Sequence, residues 1–277
     1  MLYASDLDQT LIYSRRSFGA FDENSEKIRL VEMRGEKEIS FMVQRATDVL
    51  KEIAAQMMFV PVTTRTREQY RRIHLFYKEI RPTYAVTSNG GHILYNGQLD
   101  MAWNHSVTQK IEDSSLPLHE LIKAFAEIKS SEWLHNEYIA DELFYYCTVN
   151  RTTMPMEEIL VFGDWANQKG WNLSIQGRKV YIVPHAVNKR DAVRAIQERE
   201  GLTTLISSGD SLLDFPLLDA SDISIAPPHG ELFQLRDRGN IQFTQKSGIL
   251  ASLEIVEMVM QVLQEGRERT KMNLLKQ

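Results

Sequence analysis

Residues 1–10 of the chain are MLYASDLDQT, an apolar β-type run that ends in two alternating aspartates. Side chains at positions i and i+2 of a strand point the same way, so Asp6 and Asp8 are expected to project together from the carboxyl edge of the first strand. Ligands of open α/β sheets bind at that edge. The two carboxylates repel each other unless a cation compensates them, and Mg²⁺ prefers such oxygen ligands together with substrate phosphate oxygens. An Asp pair that caps a turn is the alternative, and this segment alone leaves both interpretations open.

A second acidic cluster follows another apolar run, in the segment SSGDSLLD at residues 207–214. Ser211 and Asp214 match a helix capping box, which is the purely structural interpretation. Asp210 is not needed for that cap. A carboxylate placed directly after a strand joins the same edge of the sheet as Asp6 and Asp8. The two clusters together predict a metal site.

Two further segments carry groups suited to phosphate. Thr63, Thr64 and Arg65 follow the second predicted strand, where a hydroxyl and the first amides of the next helix can bind phosphoryl oxygens. Lys189 lies in the first turn of a predicted helix, which is unfavourable for a cation in the helix dipole, so an anionic partner would explain its position. Both segments also contain ordinary capping pairs: Thr66 with Gln69, and Asn188 with Asp191. Helix capping and, for Lys189, a solvated surface position therefore stay as alternatives.

The chain as a whole alternates short β-type runs with amphipathic helical stretches. Strands are predicted at residues 2–7, 57–63, 83–88, 204–208, 223–226 and 241–244. Helices are predicted at residues 43–55, 66–80, 188–200 and 231–238 and in the C-terminal stretch. This alternation predicts an α/β fold with a doubly wound parallel sheet, covered by helices on both faces.

Two stretches interrupt the alternation. Residues 28–42 are two β-type runs that meet at Arg34-Gly35-Glu36, which predicts a hairpin able to lie as a flap over the strand ends. Residues 91–183 contain β-type runs in pairs, with helical segments between them: HILY, EYIA, ELFYYCTVN, WNLSIQG and KVYIV. Antiparallel pairing is expected there, so this stretch is predicted to be a separate α+β insert.

Composition excludes several classes of protein. The chain has 277 residues, 43% of them hydrophobic, which suffices for one large domain or a domain plus an insert. Its formal net charge of -5 provides no overall basic field, so neither nucleic acid nor membrane is expected as a partner. The single cysteine, Cys147, excludes an intramolecular disulfide and a cysteine-based zinc site. Because the amino terminus also lacks a signal-peptide pattern, we expect a cytoplasmic protein.

The candidate residues, taken in order, resemble the four motifs of the haloacid-dehalogenase (HAD) superfamily of phosphohydrolases: Asp6, Asp8 and Thr10, then Thr63, then Lys189, then Asp210 and Asp214. The insert lies between the second and third motifs, where this superfamily places its C2-type cap. The segments at residues 89–91 and 184–189 look like those of the Cof-type and sucrose-phosphate-phosphatase-like branch. Gln9 departs from the pattern, because the family usually has glycine there.

The resemblance implies a domain division and a role for each residue. The catalytic core would comprise residues 1–88 plus 185–277, with the hairpin at about 28–42 as a flap, and the α+β cap residues 89–184. Asp6 would be the nucleophile that forms an aspartyl-phosphate, and Asp8 the acid and base. Thr63 and Lys189 would hold the phosphoryl oxygens. The implied Mg²⁺ ligands are Asp6, the backbone carbonyl of Asp8, Asp210 and, as ligand or support, Asp214. The candidates for substrate binding are Thr10, Thr64, Arg65 and Asn89.

These roles describe a Mg²⁺-dependent phosphatase that hydrolyses a small phosphorylated metabolite, acting as a monomer or a small homo-oligomer. A sugar phosphate is the leading candidate, because a large cap that closes over the site favours compact substrates. Two alternatives stay open. One is a phosphotransferase or mutase on the same scaffold, and the other is a regulatory binding module that retains the site.

Overall fold

The computed structural model describes residues 1–22, 25–237 and 240–274, and within them the side chains as far as residue 267. The strands are β1 (Leu2–Ser5), β2 (Ile28–Arg34), β3 (Lys37–Val43), β4 (Met58–Pro61), β5 (Tyr84–Thr87), β6 (His92–Tyr95), β7 (Gln98–Leu99), β8 (Leu134–Ala140), β9 (Phe144–Val149), β10 (Trp171–Gln176), β11 (Lys179–Pro184), β12 (Leu205–Ser208), β13 (Ile223–Ala226) and β14 (Ile241–Phe243). The α-helices are α1 (Gln44–Ala54), α2 (Arg67–Arg71), α3 (Met101–Ser114), α4 (Leu118–Phe125), α5 (Met156–Gln168), α6 (Lys189–Glu200), α7 (Phe215–Asp219) and α8 (Ile249–Leu274).

The central sheet is parallel and has the strand order β14-β13-β12-β1-β4. Tyr3 of β1 packs into a core shared with α1 and α8, whereas Leu2 and Ala4 face the opposite core, which includes residues of α6. Ser5, the last residue of β1, lies opposite Pro61 of β4 and Ser208 of β12. The segments that follow these three strands therefore leave the sheet side by side. This is the predicted doubly wound α/β architecture, and it confirms that prediction.

A small antiparallel extension adjoins this sheet. β5 is joined to the segment after β4 by a parallel bridge between Val62 and Val86, and its other edge pairs antiparallel with β6. β6 in turn pairs with β7. The run HILY, predicted to belong to the insert, forms β6. It pairs with β5, a predicted core strand, and not with the other runs of the insert. The exact division between core and cap stays a prediction.

Two predicted helices differ in form. The helix predicted at residues 66–80 is interrupted: α2 ends at Arg71, and a π-helical turn covers Leu75–Ile80. The interruption coincides with a bridge between Ile73 and Glu32 of the hairpin, a tertiary contact that periodicity does not encode. The helix predicted at residues 231–238 is a 3₁₀ helix over Glu231–Leu235, and residue 238 lies outside the described residues.

The predicted hairpin is present as the antiparallel pair β2 and β3. Gly35 forms the turn with a φ of 59°, in the left-handed region that glycine adopts readily. The hairpin is anchored in the main core by Val31 and Phe41, and the backbone of Phe41 exchanges two hydrogen bonds with that of Tyr13. It is therefore held over the carboxyl edge of the sheet as a packed element.

The remaining strands form a second sheet with the order β10-β11-β9-β8, in which all pairs are antiparallel. Helices α3, α4 and α5 contribute to a hydrophobic core of its own, whose largest buried side chains include Trp171, Phe125 and Phe144. The insert thus has the expected α+β composition. Among the described helices of the whole chain, none is both long enough and apolar enough to cross a membrane.

Candidate active site

Asp6 and Asp8 lie in the tight loop that follows β1. The amide of Asp6 continues the sheet by donating to the carbonyl of Ser208 at 2.8 Å, and the chain then turns around the carbonyl of Leu7. Gln9 has a φ of 63°, which explains why glycine is usual at this position and costs a residue with a side chain about 1 kcal/mol. The carbonyl of Gln9 accepts a hydrogen bond from the Tyr13 hydroxyl at 2.7 Å, and this contact helps to hold the left-handed turn.

Asp6, Asp210 and Asp214 form a buried cluster in which carboxylate oxygens lie within 4.8 Å of one another. Lys189 supplies the cation at its centre: its Nζ lies 2.6 Å from Asp6 Oδ1 and 2.5 Å from Asp214 Oδ1. The other oxygen of Asp214 accepts from the amides of Asp210 and Ser211 and from the Ser211 hydroxyl. Asp214 therefore orients both the acidic loop and Lys189, which fits a supporting role better than that of a free ligand.

Glycine is required beside this cluster for a steric reason. A Cβ atom on Gly209 would lie 2.5 Å from the Cβ of Asp214, closer than real side chains approach. The close approach brings the amides of residues 210 and 211 onto the Asp214 carboxylate. The Gly-Asp pair in the sequence is thus explained by packing as well as by the chemistry of Asp210.

Lys189 begins α6 and is only 1% exposed. Asn188 caps this helix, because its side-chain oxygen accepts from the amide of Asp191 at 2.9 Å. The predicted capping pair is therefore real, but the surface-lysine alternative is not, since Lys189 is buried against carboxylates. Asn89 supports the same segment by donating from Nδ2 to the carbonyl of Val187 at 3.1 Å. Asn89 is 2% exposed and, like Lys189, lies outside the cleft lining, so its contact with substrate stays a prediction.

The charges of the cluster do not balance within the chain. Three carboxylates face one ammonium group, and no donor in the described part of the chain hydrogen-bonds to the carboxylate of Asp210. Burial raises the pKa of Asp6, against the opposing effect of Lys189. Burial and the neighbouring Asp6 raise that of Asp210 well above its usual value. A hard divalent cation would relieve this repulsion, and the all-oxygen donor set is the type that Mg²⁺ prefers, so the residues fit such an ion.

Thr63, Thr64 and Arg65 lie beside Asp8. Thr63 is buried, its amide donates to the carbonyl of Val86, and its hydroxyl oxygen accepts from the amide of Arg65 at 3.1 Å. Thr64 and Arg65 line the cleft, and the capping box of Thr66 is also formed. Thr10 is buried and does not line the cleft. Thr63 is likewise absent from the cleft lining, so Thr64 is the only one of these threonines that lines it, and the roles of Thr63 and Thr10 stay predictions.

Asp8 is turned away from the acidic cluster and toward Arg65. Arg65 Nε donates to Asp8 Oδ2 at 2.7 Å, and Nη2 donates to Oδ1 at 2.8 Å. Desolvation would raise the pKa of the Asp8 carboxyl, but the adjacent Arg65 guanidinium outweighs it and lowers that pKa below its ordinary value. The Asp8 side chain therefore takes part in an ion pair, and only its backbone remains available for the predicted metal contact.

Glu32, which the sequence analysis did not single out, completes this ion pair from the hairpin. It is fully buried, and its Oε2 lies 2.7 Å from Nη1 of Arg65. No local pattern marks this glutamate in the sequence, because its inward orientation depends on the pairing of β2 with β3. It is the clearest member of the site that sequence analysis missed.

A cleft of about 940 Å³ opens above these groups. The core side of its lining contains Asp6, Asp8 and Asp210, and the hairpin contributes Glu32 and Ile39. The insert closes the opposite side with polar and aromatic side chains: His135, Asn136, Tyr146, Thr148, Gln176, Arg178, Lys179 and Tyr181. The cleft thus places one reactive cluster opposite a large surface suited to recognition.

The insert surface is organised around stacked tyrosines. The rings of Tyr138 and Tyr146 lie 4.8 Å apart between centroids, and those of Tyr146 and Tyr181 lie 5.4 Å apart. Lys179 Nζ is 5.9 Å from the Tyr146 ring and 5.8 Å from the Tyr181 ring. These residues alternate along neighbouring antiparallel strands, which brings their side chains to one face. In the sequence, this face is indicated by the alternation of side chains along the β-type runs FYYCTV and KVYIV, which places every second residue on the same side of the sheet.

Comparison with known proteins agrees with this geometry. A family model for sucrose-6F-phosphate phosphohydrolase matches residues 1–226 of the chain. A search of curated proteins found no match.

Solved structures with the same fold include the sucrose-phosphatase of Synechocystis sp. PCC6803, determined in complex with sucrose and phosphate. It has a TM-score of 0.68 at 17% identity, with 93% of this chain and 97% of that chain covered. The HAD subclass IIB sugar phosphatase BT4131 has a TM-score of 0.57 at 13% identity, with 88% of this chain and 92% of that chain covered. A trehalose-6-phosphate phosphatase related protein has a TM-score of 0.53 at 15% identity, covering 96% and 100%. At these identities the structures establish the fold, whereas the family model spans most of the chain. The chain belongs to the sucrose-6F-phosphate phosphohydrolase family of HAD-superfamily phosphatases.

Proposed function

We propose that the protein is a Mg²⁺-dependent phosphatase that hydrolyses a small phosphorylated sugar through an aspartyl-phosphate on Asp6. The observation that carries the proposal is the buried cluster at the floor of the cleft. There Asp6 contacts Lys189 at 2.6 Å and lies beside Asp210, with Asp8 at the same strand end. A nucleophile and a cation thus meet at the floor of the cleft, and Asp8, the candidate acid-base group, lines the cleft nearby in an ion pair with Arg65.

The side chains support a two-step displacement. In the first step an oxygen of Asp6 bonds to phosphorus as the ester P–O bond breaks, and the departing oxygen takes its proton from Asp8, whose carboxylate must first leave the Arg65 ion pair and be protonated. In the second step Asp8 takes a proton from the water that attacks phosphorus, which releases inorganic phosphate and restores Asp6. Lys189 reduces the repulsion between the anionic nucleophile and the anionic phosphoryl group. Mg²⁺ held by Asp6, the Asp8 carbonyl and Asp210 would supply further charge neutralisation when bound.

The insert surface supports a sugar as the rest of the substrate. Tyr146, which stacks on the buried Tyr181, offers an aromatic face to apolar patches of a sugar ring, while Asn136 and Gln176 offer amides to its hydroxyl groups. A cleft of about 940 Å³ is within the range of sites for small metabolites. We place the enzyme in the cytoplasm, in keeping with a lone cysteine that is buried in the insert.

The test is phosphate release from a panel of sugar phosphates that includes sucrose 6F-phosphate, with Mg²⁺ and with excess chelator. We expect turnover that requires Mg²⁺ and is abolished in Asp6→Asn, because the amide is nearly isosteric but a poor nucleophile. Asp48→Asn, the same change at an exposed position of α1, is the matched control. Normal activity of Asp6→Asn, or full activity in chelator, would contradict the proposal. Transfer of phosphate to a second sugar instead of water would indicate the phosphotransferase, and no turnover at all the regulatory module.

A further inference from the structure

The insert side of the cleft carries basic groups and no acidic ones. Its basic lining residues are His135, Arg178 and Lys179, and within the described residues no Asp or Glu of the insert lines the cleft. The carboxylates of the lining all come from the core and the hairpin: Asp6, Asp8, Glu32, Asp210 and Glu231. A ligand in the cleft therefore lies between an acidic floor and a basic wall.

Lys179 belongs to a row of four polar side chains that crosses the insert sheet. In the strand register Lys179 of β11 is paired with Gln176 of β10 on one side and with Thr148 of β9 on the other. Thr148 is paired in turn with Asn136 of β8, whose Nδ2 donates to Thr148 Oγ1 at 3.2 Å. Directly paired residues of antiparallel strands present their side chains on one face, about 5 Å apart. All four residues line the cleft, so the row offers it neighbouring hydrogen-bond donors.

The ammonium group of Lys179 has no anion of its own. In the part of the chain that the structure describes, it forms no ion pair, and it lies over the rings of Tyr146 and Tyr181 at 5.9 and 5.8 Å. The charge of Asp8 acts on it across the cleft, but Arg65 already binds both oxygens of that carboxylate. The backbone of Lys179 is held between two neighbouring strands, so the position of this cation on the wall is fixed.

The reactive phosphoryl group has positive charge near it at the floor of the cleft. Lys189 Nζ contacts Asp6 at 2.6 Å, and the acidic cluster around Asp6 fits Mg²⁺. Lys179 lies instead on the insert wall, which faces the rest of the ligand. A neutral sugar gives this cation no counter-charge, whereas an acidic group on the sugar does. The charges of the cleft thus favour a ligand that is anionic at both ends.

We propose that the substrate carries a second anionic group on its sugar, a carboxylate or another phosphate, and that Lys179 and Thr148 bind this group. The amides of Gln176 and Asn136, at the two ends of the row, then remain for neighbouring hydroxyl groups of the sugar. The inference rests on the proposed function and narrows its substrate class to phosphates of sugar acids and sugar bisphosphates.

The test uses two pairs of esters, each of which differs in one group. Glucose 1-phosphate and glucuronate 1-phosphate differ by a carboxylate in place of a hydroxymethyl group. Glucose 6-phosphate and glucose 1,6-bisphosphate differ by a second phosphate. The ratio of kcat/KM between the charged and the neutral member of a pair measures what the second anion contributes, and the two pairs distinguish a carboxylate from a phosphate.

For the wild-type chain we expect a ratio of at least about 10 in one of the pairs, as for a hydrogen bond to a charged group. Lys179→Met should reduce this ratio to about 1, and Lys179→Arg, which keeps the charge, should retain most of it. The loss should fall on KM, because the second anion is bound away from the reacting phosphorus. Lys110→Met is the matched control: Lys110 also lies on the insert over an aromatic ring, 5.9 Å from that of Trp103, but it does not line the cleft.

Circular dichroism and thermal unfolding establish that each variant is folded. If Lys179→Met does not fold, Thr148→Val decides the question, with an expected fall in the same ratio of about 3-fold. A wild-type ratio near 1 or below in both pairs, or an equal loss on both members of a pair in Lys179→Met, would overturn the inference and leave the proposed function intact. So would turnover of sucrose 6F-phosphate without turnover of either charged ester. Release of phosphate from none of these sugar phosphates would overturn the proposed function and the inference with it.

Discussion

Replacement of Lys189 with methionine removes one positive charge while retaining the length of the side chain. The ammonium group contacts Asp6 at 2.6 Å and Asp214 at 2.5 Å, and its side chain is 1% exposed. Asp210 lies in the same cluster, with one of its carboxylate oxygens within 4.8 Å of an oxygen of Asp6 and of Asp214. The variant would therefore bury three carboxylates without a cation from the chain. We expect both stability and turnover to fall.

The magnitude follows from the burial of these groups. Removal of one partner from a buried ion pair costs about 3–5 kcal/mol. The lower end applies here, because burial already raises the pKa of Asp6 and Asp210 and a carboxyl group deprived of Lys189 can take up a proton. We expect the free energy of unfolding to fall by about 3 kcal/mol without metal, and by less with Mg²⁺, which neutralises the same carboxylates. Turnover should fall by about 10²–10³-fold, as for the loss of a single electrostatic stabiliser.

The measurements are denaturant unfolding with and without Mg²⁺, and phosphate release. Lys129→Met is the matched control: Lys129 pairs with Glu137 at 2.9 Å, but the two side chains are 31% and 37% exposed. An exposed pair contributes about 1 kcal/mol or less, so this control should keep its stability and turnover. The reasoning would be refuted if Lys189→Met behaved like the control in both measurements, because Lys189 would then compensate no buried charge.

Two further predictions concern the insert. Partial burial alone would raise the pKa of Asp141, but hydrogen bonds from His92 and Ser88 outweigh it and lower the pKa to about 2. Because this pKa lies below that of Asp141 in the unfolded chain, the stabilisation is present above pH about 4 and is lost as pH falls toward 2. We therefore expect Asp141→Asn to lower the free energy of unfolding by about 2 kcal/mol at pH 6 and by clearly less at pH 3. An equal loss at both pH values would contradict this prediction. Tyr146→Ala should raise KM for the preferred sugar phosphate about fivefold, as for loss of one stacking contact, while inhibition by inorganic phosphate stays unchanged. If Tyr146→Ala weakened the binding of the sugar phosphate and of inorganic phosphate equally, Tyr146 would support the structure of the site and not contact the sugar.

Much of the site could be predicted because a parallel sheet brings distant segments together by a simple rule. Asp6 and Asp210 each follow a strand, and the carboxyl ends of parallel strands share one edge, so their proximity follows from the order of strands and helices. Lys189 could also be singled out from the sequence. A lysine at the start of a helix is unfavourable unless an anion lies nearby, so its position indicated an anionic partner. Its burial among carboxylates agrees with that signal.

The parts that could not be predicted depend on tertiary contacts without a local pattern. Asp8 turns toward Arg65 because Glu32 holds the guanidinium from the hairpin, and that orientation results from an irregular strand pairing. The break after α2 likewise accompanies a contact between Ile73 and the hairpin. Asn89 donates from its amide to the carbonyl of Val187, a tertiary contact that the sequence pattern does not specify. Spacing along the chain locates such side chains without determining where they point.

The claim that Asp6 carries the phosphoryl group is tested most directly by trapping the phosphorylated enzyme. The Asp8→Asn variant retains the nucleophile but lacks the base of the second step, so with 4-nitrophenyl phosphate and Mg²⁺ it should release about one nitrophenolate per chain in a burst and then slow. Reduction of the acid-quenched protein with labelled borohydride converts an aspartyl-phosphate to labelled homoserine, which peptide mass spectrometry locates. We predict label at residue 6 alone. Continued turnover with no label at residue 6, or label at another residue, would contradict the mechanism.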